Sequence, residues 1–198
     1  MKRSVSTNER DDETLVRETL AGDRRAFDLL VLRHGDMLFN LCFRMLGEYD
    51  EASDCAQDAF FRAYRGLAGF RGEAAFSTWL YRIAVNTCKN RLASAGYRRS
   101  RKMVRLEGTG ADDALLHSNG RVSFANPAAR YERDEREALI QHALDALPPD
   151  EKTVAVLCDI EGKSYEEIVA TTGMPLGTVK SRVARARRRL RSKLEGIV

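Results

Sequence analysis

The sequence predicts an all-α protein of two helical domains joined by a flexible linker. Three observations carry this. Apolar residues recur at helical spacing from about 11 to 97, and again from about 131 to 198. No alternation of apolar and polar residues runs far enough for a strand. Between 98 and 130 the periodicity fails, and "GTGADDALLHSNGRVSFANPAAR" has the Gly, Asn, Ser and Ala content of a chain with little fixed structure of its own. The expected boundaries are 11–97, 98–130 and 131–198.

The elements follow in order. "DDETLVRETLAG" opens on an acidic first turn and ends at Gly22. "DRRAFDLLVLRHG" has Asp23 as its N-cap and is expected to stop near Gly35. "DMLFNLCFRML" then runs to Gly47, and "DEASDCAQDAFFRAYRGL" forms the next helix. The short loop "AGFRGEAAF" leads into "FSTWLYRIAVNTCKNRL", residues 76 to 92. In the second unit "RDEREALIQHALDAL" stops at Pro148-Pro149, and "PDEKTVAVLCDIEG" ends at Gly162. Ser164 and Glu167 make a capping box that opens "YEEIVATT". Gly173 supplies a turn, and the basic "PLGTVKSRVARARRRLRSKL" closes the chain. Helix, short glycine-containing turn and basic helix together predict a helix-turn-helix.

Charge is unevenly spread although the net value is only +4. Residues 48–58 hold five acids and no base, and residues 82–105 hold eight bases and no acid. Residues 131–167 hold eleven acids against four bases, and residues 176–198 hold eight bases against one acid. Two basic blocks, each beside an acidic one, point to a polyanion gripped in two places, with the acids facing something else. No run of about 18 apolar residues is present, so no membrane insertion is expected. The opening "MKRSVSTNERDDETL" lacks the apolar stretch of a signal peptide, so the expected location is cytoplasmic. Cys42, Cys55, Cys88 and Cys158 form no C-x-x-C pair, and His34, His117 and His142 are dispersed. The cysteines read as small buried hydrophobes, with no metal site and no cofactor.

Three helix faces carry the functional reading. On the last helix Val179, Val183, Ala186 and Leu190 fall within about 60° of one another, while Thr178, Ser181, Arg182, Arg185 and Arg189 point away. Hydroxyls and guanidinium groups opposite an apolar stripe suit a helix that reads the major groove. On "DEASDCAQDAFFRAYRGL" the core set is Ala52, Cys55, Ala56, Ala59, Phe60 and Ala63. Its other face holds Asp54, Gln57, Asp58, Phe61 and Arg65. There Phe61 is either the apolar centre of a protein-docking surface or packed on a neighbouring segment of its own domain. On helix 76–92 Leu80, Ala84 and Thr87 form a core stripe, flanked by Ile83 and Cys88. Trp79, Arg82, Asn86 and Asn90 occupy another face. An aromatic ring beside basic and amide groups suits single-stranded DNA, and the loop before this helix offers a place for an extruded base. Core packing is the competing account of Trp79.

Taken in order, "AGDRRAFDLLVLRH", "DEASDCAQDAFFRAYRGLAGFRGEAAFSTWLYRIAVNTCKNRL" and "ALPPDEKTVAVLCDIEGKSYEEIVATTGMPLGTVKSRVARARRRL" resemble the extracytoplasmic-function sigma factors of bacteria, closest to the envelope-stress type. The resemblance spans nearly the whole chain. It implies a region 2 helical bundle over 11–97 and a region 4 helix-turn-helix over 131–198, and an initiation factor rather than an enzyme. It implies that Asp54, Gln57, Asp58 and Phe61 dock on the β′ clamp helices of core RNA polymerase. The loop with Phe70, Arg71, Gly72 and Phe76, together with Asn86, would handle the melted −10 element. Lys180, Ser181, Arg182 and Arg185 would read the duplex −35 element, and the apolar side of region 4 would hold the β flap. An anti-sigma factor would mask the polymerase-binding faces. Ala184 departs from the pattern, since relatives can carry a bulky aromatic there.

Two other classes compete. A two-domain helix-turn-helix regulator of duplex operators leaves the second basic block, with its aromatics and amides, unexplained. A recombinase or nuclease lacks a strand–loop–helix frame for a nucleophile and a carboxylate cluster for two metal ions.

Overall fold

The computed structural model describes residues 10–94 and 127–195, with the side chains of 127–134 excepted. Among the described residues the regular structure is entirely helical. In the N-terminal unit α1 is Asp12–Leu20, α2 Arg24–Leu46, α3 Tyr49–Gly66 and α4 Phe76–Ala93, with a 3-10 turn at Leu67–Gly69. In the C-terminal unit α5 is Pro127–Asp145, α6 Pro149–Ala155, α7 Tyr165–Thr172 and α8 Leu176–Leu194. Much of the expected linker, residues 95–126, lies outside the described residues, and α5 begins a few residues before the expected domain start.

The caps sit where local chemistry requires them. Asp11 and Asp23 accept from the backbone N–H groups of Thr14 and Arg25, at 2.9 and 3.0 Å. Ser164 and Glu167 form the reciprocal capping box at 3.2 and 2.8 Å. Gly173 closes α7 in the left-handed region at φ 70°.

One expected boundary is absent. Residues 24–46 form a single helix that runs through Gly35. An interior glycine costs about 1 kcal/mol relative to alanine. Against that, Leu30, His34, Leu38, Leu41 and Met45 are all buried, so one apolar stripe continues across the glycine. Asp12 of α1 also pins this turn, receiving Arg33 at 2.5 Å and lying 2.8 Å from His34 Nε2.

The two units pack on each other. α4 touches α2 and α3 on one side and α7 on the other. Tyr81, 2% exposed, donates its hydroxyl to Glu161 at 2.5 Å, and the Lys163 ammonium lies 4.6 Å from its ring centre. Lys89 reaches Asp150 at 3.5 Å. At the far end of α2, Gln141 of α5 donates to the Arg44 carbonyl. Gly47 closes α2 at φ 80°, and a Cβ on it would stand 2.7 Å from Asp145 Oδ2. The left-handed turn is what calls for glycine here, and any larger residue would also displace the Asp145 carboxylate.

Candidate nucleic-acid interface

The outward face of α3 is built as expected. Ala52, Cys55, Ala56, Ala59 and Ala63 are buried, and small residues let α3 lie close on α2 and α4. Phe60 is half-buried at the margin of that core. Asp54, Gln57 and Asp58 face solvent. Phe61 is 60% exposed, so it does not pack into its own domain; the Arg65 guanidinium lies 5.6 Å from its ring centre. Arg91 of α4 ion-pairs with Glu51 and reaches Asp54 at 3.3 Å, which ties this face to α4. That clasp raises the Arg91 pKa, chiefly through the hydrogen bond to Glu51.

The entrance to α4 is aromatic. Phe70, Phe76 and Trp79 form a triangle of rings with centres 5.3 to 5.8 Å apart. Phe76 is only 2% exposed. Its ring props the loop from inside, and its chemistry is core packing and not surface contact. Trp79 is half-buried and packed against the core cluster, so both accounts of it describe part of the ring. Arg82, Asn86 and Asn90 are exposed farther along the same face. Arg71 is exposed and 4.0 Å from Glu73, a pairing that solvent leaves nearly worthless. Gly72 takes φ 72°. A shallow cleft of about 390 Å³ opens between Glu13, Val16, Arg17 and Leu20 of α1 and the turn at Phe70, Arg71 and Gly72. The contribution of α1 was not legible, because nothing local in its sequence marks it as facing a loop fifty residues on.

α8 sorts its faces as its periodicity requires. Val179, Val183 and Ala186 are buried, and Leu190 is half-buried. Lys180 and Ser181 are exposed, Thr178 is half-buried, and Ser181 Oγ donates to the Thr178 carbonyl at 3.0 Å. The arginines meet acids that the sequence reading had assigned to other surfaces. Arg182 lies 2.9 Å from Asp150, and it also reaches Met174 Sδ at 3.0 Å. Arg185 and Arg189 both lean on Glu151, at 3.7 and 3.1 Å. Arg187 grips Asp159 through two nitrogens, which raises its pKa. The acidic block of the C-terminal unit thus faces the basic helix in part. Glu151 is 7% exposed, and its Oε2 has no directed hydrogen bond although Arg189 Nε is 3.1 Å away. The contact is one of charge and not a directed hydrogen bond. The side chains of Arg185, Arg187 and Arg189 remain about half exposed, and that of Arg182 is 25% exposed.

The cysteines are buried as expected at Cys42, Cys55 and Cys88, and half-buried at Cys158. They are dispersed in sequence, yet Cys42, Cys55 and Cys88 meet inside the N-terminal unit, and only Cys158 stands apart. A usable signal existed: each of the three lies on the core side of one of three successive helices.

Comparison with known proteins closes the question of family. Residues 30–98 match Sigma-70 region 2, and residues 137–190 match Sigma-70, region 4. The RNA polymerase sigma-H factor of Pseudomonas aeruginosa is 40% identical, covering 94% of this chain and 95% of its own. The ECF RNA polymerase sigma-E factor of Escherichia coli is 37% identical, covering 94% and 96%. Among solved structures, CnrH in complex with the cytosolic domain of CnrY has a TM-score of 0.67 at 27% identity, covering 94% and 99%. The sigma factor RpoE in complex with the anti-sigma factor NepR from Bartonella quintana has a TM-score of 0.58 at 25% identity, covering 87% and 98%. Both regions match in the right order and near full-length relatives agree, so this chain belongs to the extracytoplasmic-function group of sigma-70 factors and is a transcription initiation factor, not an enzyme.

Proposed function

We propose that this alternative sigma factor holds a promoter with two differently constructed helix faces. The outer row of α4, with the half-buried Trp79 and the exposed Arg82 and Asn86, follows the melted −10 strand. The cleft beside Phe70, Arg71 and Gly72 receives an extruded base, and Phe76 holds that loop from within. Thr178, Lys180, Ser181, Arg182 and Arg185 of α8 read the −35 duplex, and Arg189 holds phosphate. The face of Asp54, Gln57, Asp58 and Phe61 docks on the β′ clamp helices of core polymerase. The exposed Ile140 and Ile160 support an apolar contact of region 4 with the β flap. An anti-sigma partner covers these faces, a reading supported by the complexes in which the two structural relatives were solved.

The observation that carries this is the ring triangle of Phe70, Phe76 and Trp79, in register with the exposed Arg82 and Asn86. The half-buried rings of Phe70 and Trp79, held by Phe76, give a fixed platform for stacking, and an exposed amide beside them can pair with one base edge. Asn86→Ala opens no cavity, because the side chain is in solvent. Holoenzyme assembly and −35 binding are expected to stay intact. Selection of the −10 element is expected to lose about 1–3 kcal/mol. Run-off transcription on duplex and pre-melted templates, with each base at the critical −10 position, reads this out. The bubble is expected to restore part of the rate and none of the base preference. Wild-type preference on both templates would remove Asn86 as a reader.

A further inference from the structure

Cys42 of α2, Cys55 of α3 and Cys88 of α4 bring three sulfur atoms to one point in the N-terminal core. Their residues are 0%, 3% and 0% exposed, and the Sγ atoms all lie within 4.8 Å of one another. Cys55 and Cys88 are 3.4 Å apart, a thiol contact and not a bond. Buried alanines also fill core positions on these helices, at Ala26 of α2, Ala52, Ala56 and Ala59 of α3 and Ala84 of α4. Close helix packing therefore does not itself call for sulfur at three converging sites. None of the proposed contacts with polymerase or promoter uses a thiol.

The surroundings fit a ligand set. Cys55 and Cys88 share a sulfur–sulfur hydrogen bond at 3.4 Å, and the guanidinium groups of Arg91 and Arg62 add positive potential at Cys55.

We propose that Cys42, Cys55 and Cys88 bind one soft, monovalent d10 metal ion of the Cu(I) class. The donor count decides against zinc. Among the described residues no further His, Cys, Asp or Glu joins the group, whereas zinc completes a four-coordinate shell with a further protein ligand or a water, and these residues are only 0–3% exposed. Thiolate donors select soft ions, and burial keeps hard oxygen ligands and water away. A trigonal ion with metal–sulfur bonds of about 2.3 Å holds its sulfurs about 4 Å apart. The observed spacing brackets that value, so small rotations about the cysteine side chains close the site. The ion enters without change of oxidation state, and each thiol that becomes a ligand gives its proton to solvent. Occupancy would clamp α2, α3 and α4 together directly beneath the outward face of α3.

The test titrates the reduced full chain with Cu(I), without oxygen, against a competing Cu(I) chelator. One equivalent per chain is expected. X-ray absorption of the loaded wild-type protein is expected to report three sulfur neighbours. Cys42→Ser, Cys55→Ser and Cys88→Ser should each weaken binding by at least about 10–100-fold. Cys158→Ser should leave it unchanged. Circular dichroism establishes whether each variant folds. If a serine variant does not, the wild-type absorption spectrum decides. Two-coordinate copper, nitrogen or oxygen neighbours, loss of binding in Cys158→Ser, or tighter Zn(II) than Cu(I) binding would each overturn the proposal.

Discussion

α4 and α8 are nearly equal in length, and each carries basic residues toward solvent, but they are held in opposite ways. α8 rests on one apolar stripe, and acids of its own domain brace four of its arginines: Asp150 meets Arg182, Glu151 meets Arg185 and Arg189, and Asp159 meets Arg187. α4 is packed on two sides, against α2 and α3 and against α7, and only a narrow row remains exposed. There Asn86 and Asn90 are amides, and Trp79 is propped by other rings. A braced guanidinium gives up little conformational freedom when it meets a base edge or phosphate, which suits a duplex whose geometry is fixed. An amide and a ring on a rigid helix suit a strand that must adapt to the protein.

The largest expected effect tests the difference in packing. Leu80 is fully buried in the middle helix of the assembly, and Leu80→Ala is expected to cost about 2–5 kcal/mol. Val183→Ala in α8 removes less surface and is expected to cost about 2 kcal/mol. Urea unfolding measures both. A greater loss for Val183→Ala would mean that α4 is not the member on which both units depend.

The next effect sharpens the contrast in electrostatics. Arg185→Ala is expected to weaken −35 recognition by about 1–3 kcal/mol and to change base preference. Arg189→Ala is expected to weaken all duplexes alike and to flatten the salt dependence. Glu151→Gln should act in the opposite sense, because two guanidinium groups lose a neighbouring acid. Non-specific duplex affinity should rise and its salt dependence steepen. Fluorescence anisotropy over a salt series distinguishes the three. An Arg185→Ala variant equally weak on matched and mismatched elements would assign that residue to phosphate.

The smallest effect concerns the contact between the units. Tyr81→Phe removes one hydrogen bond to the half-buried Glu161 and is expected to cost about 1 kcal/mol, with faster amide exchange in α7. Its pH dependence has a definite sign. Burial, then the hydrogen bond to Glu161, pushes the Tyr81 phenol well above its ordinary range. A group whose folded pKa is raised adds stability that is fully present below its unfolded value, about 10, and is lost as pH rises beyond it. The wild-type chain should therefore lose this increment only above about pH 10, and Tyr81→Phe should lack that component. Identical alkaline profiles would show that the contact contributes nothing.

Much of the molecule was legible because its signals are local. Caps at Asp23 and Ser164, the turn at Gly173 and the stripe of Val179, Val183 and Ala186 depend on residues within a few positions of one another. The same periodicity put Phe61 on the acidic face of α3, while its exposure was decided by the tertiary structure. The misplaced boundary at Gly35 has a physical cause: a glycine signal weighs about 1 kcal/mol, and a buried stripe passing through it weighs more.

The sequence by itself determined the two helical units, the inward and basic faces of α8 and the outward face of α3, since a helix's periodicity fixes which side is apolar; of the other basic block, residues 95–105 lie outside the described residues. Tertiary structure alone decided the second packed side of α4, the burial of Tyr81, the bracing of α8 by Asp150 and Glu151, and the meeting of Cys42, Cys55 and Cys88. Helical periodicity specifies that a face is covered but not by what. The distances between residues far apart in the chain depend on how several helices fill a common volume, and that packing sets which charges and which sulfurs become neighbours.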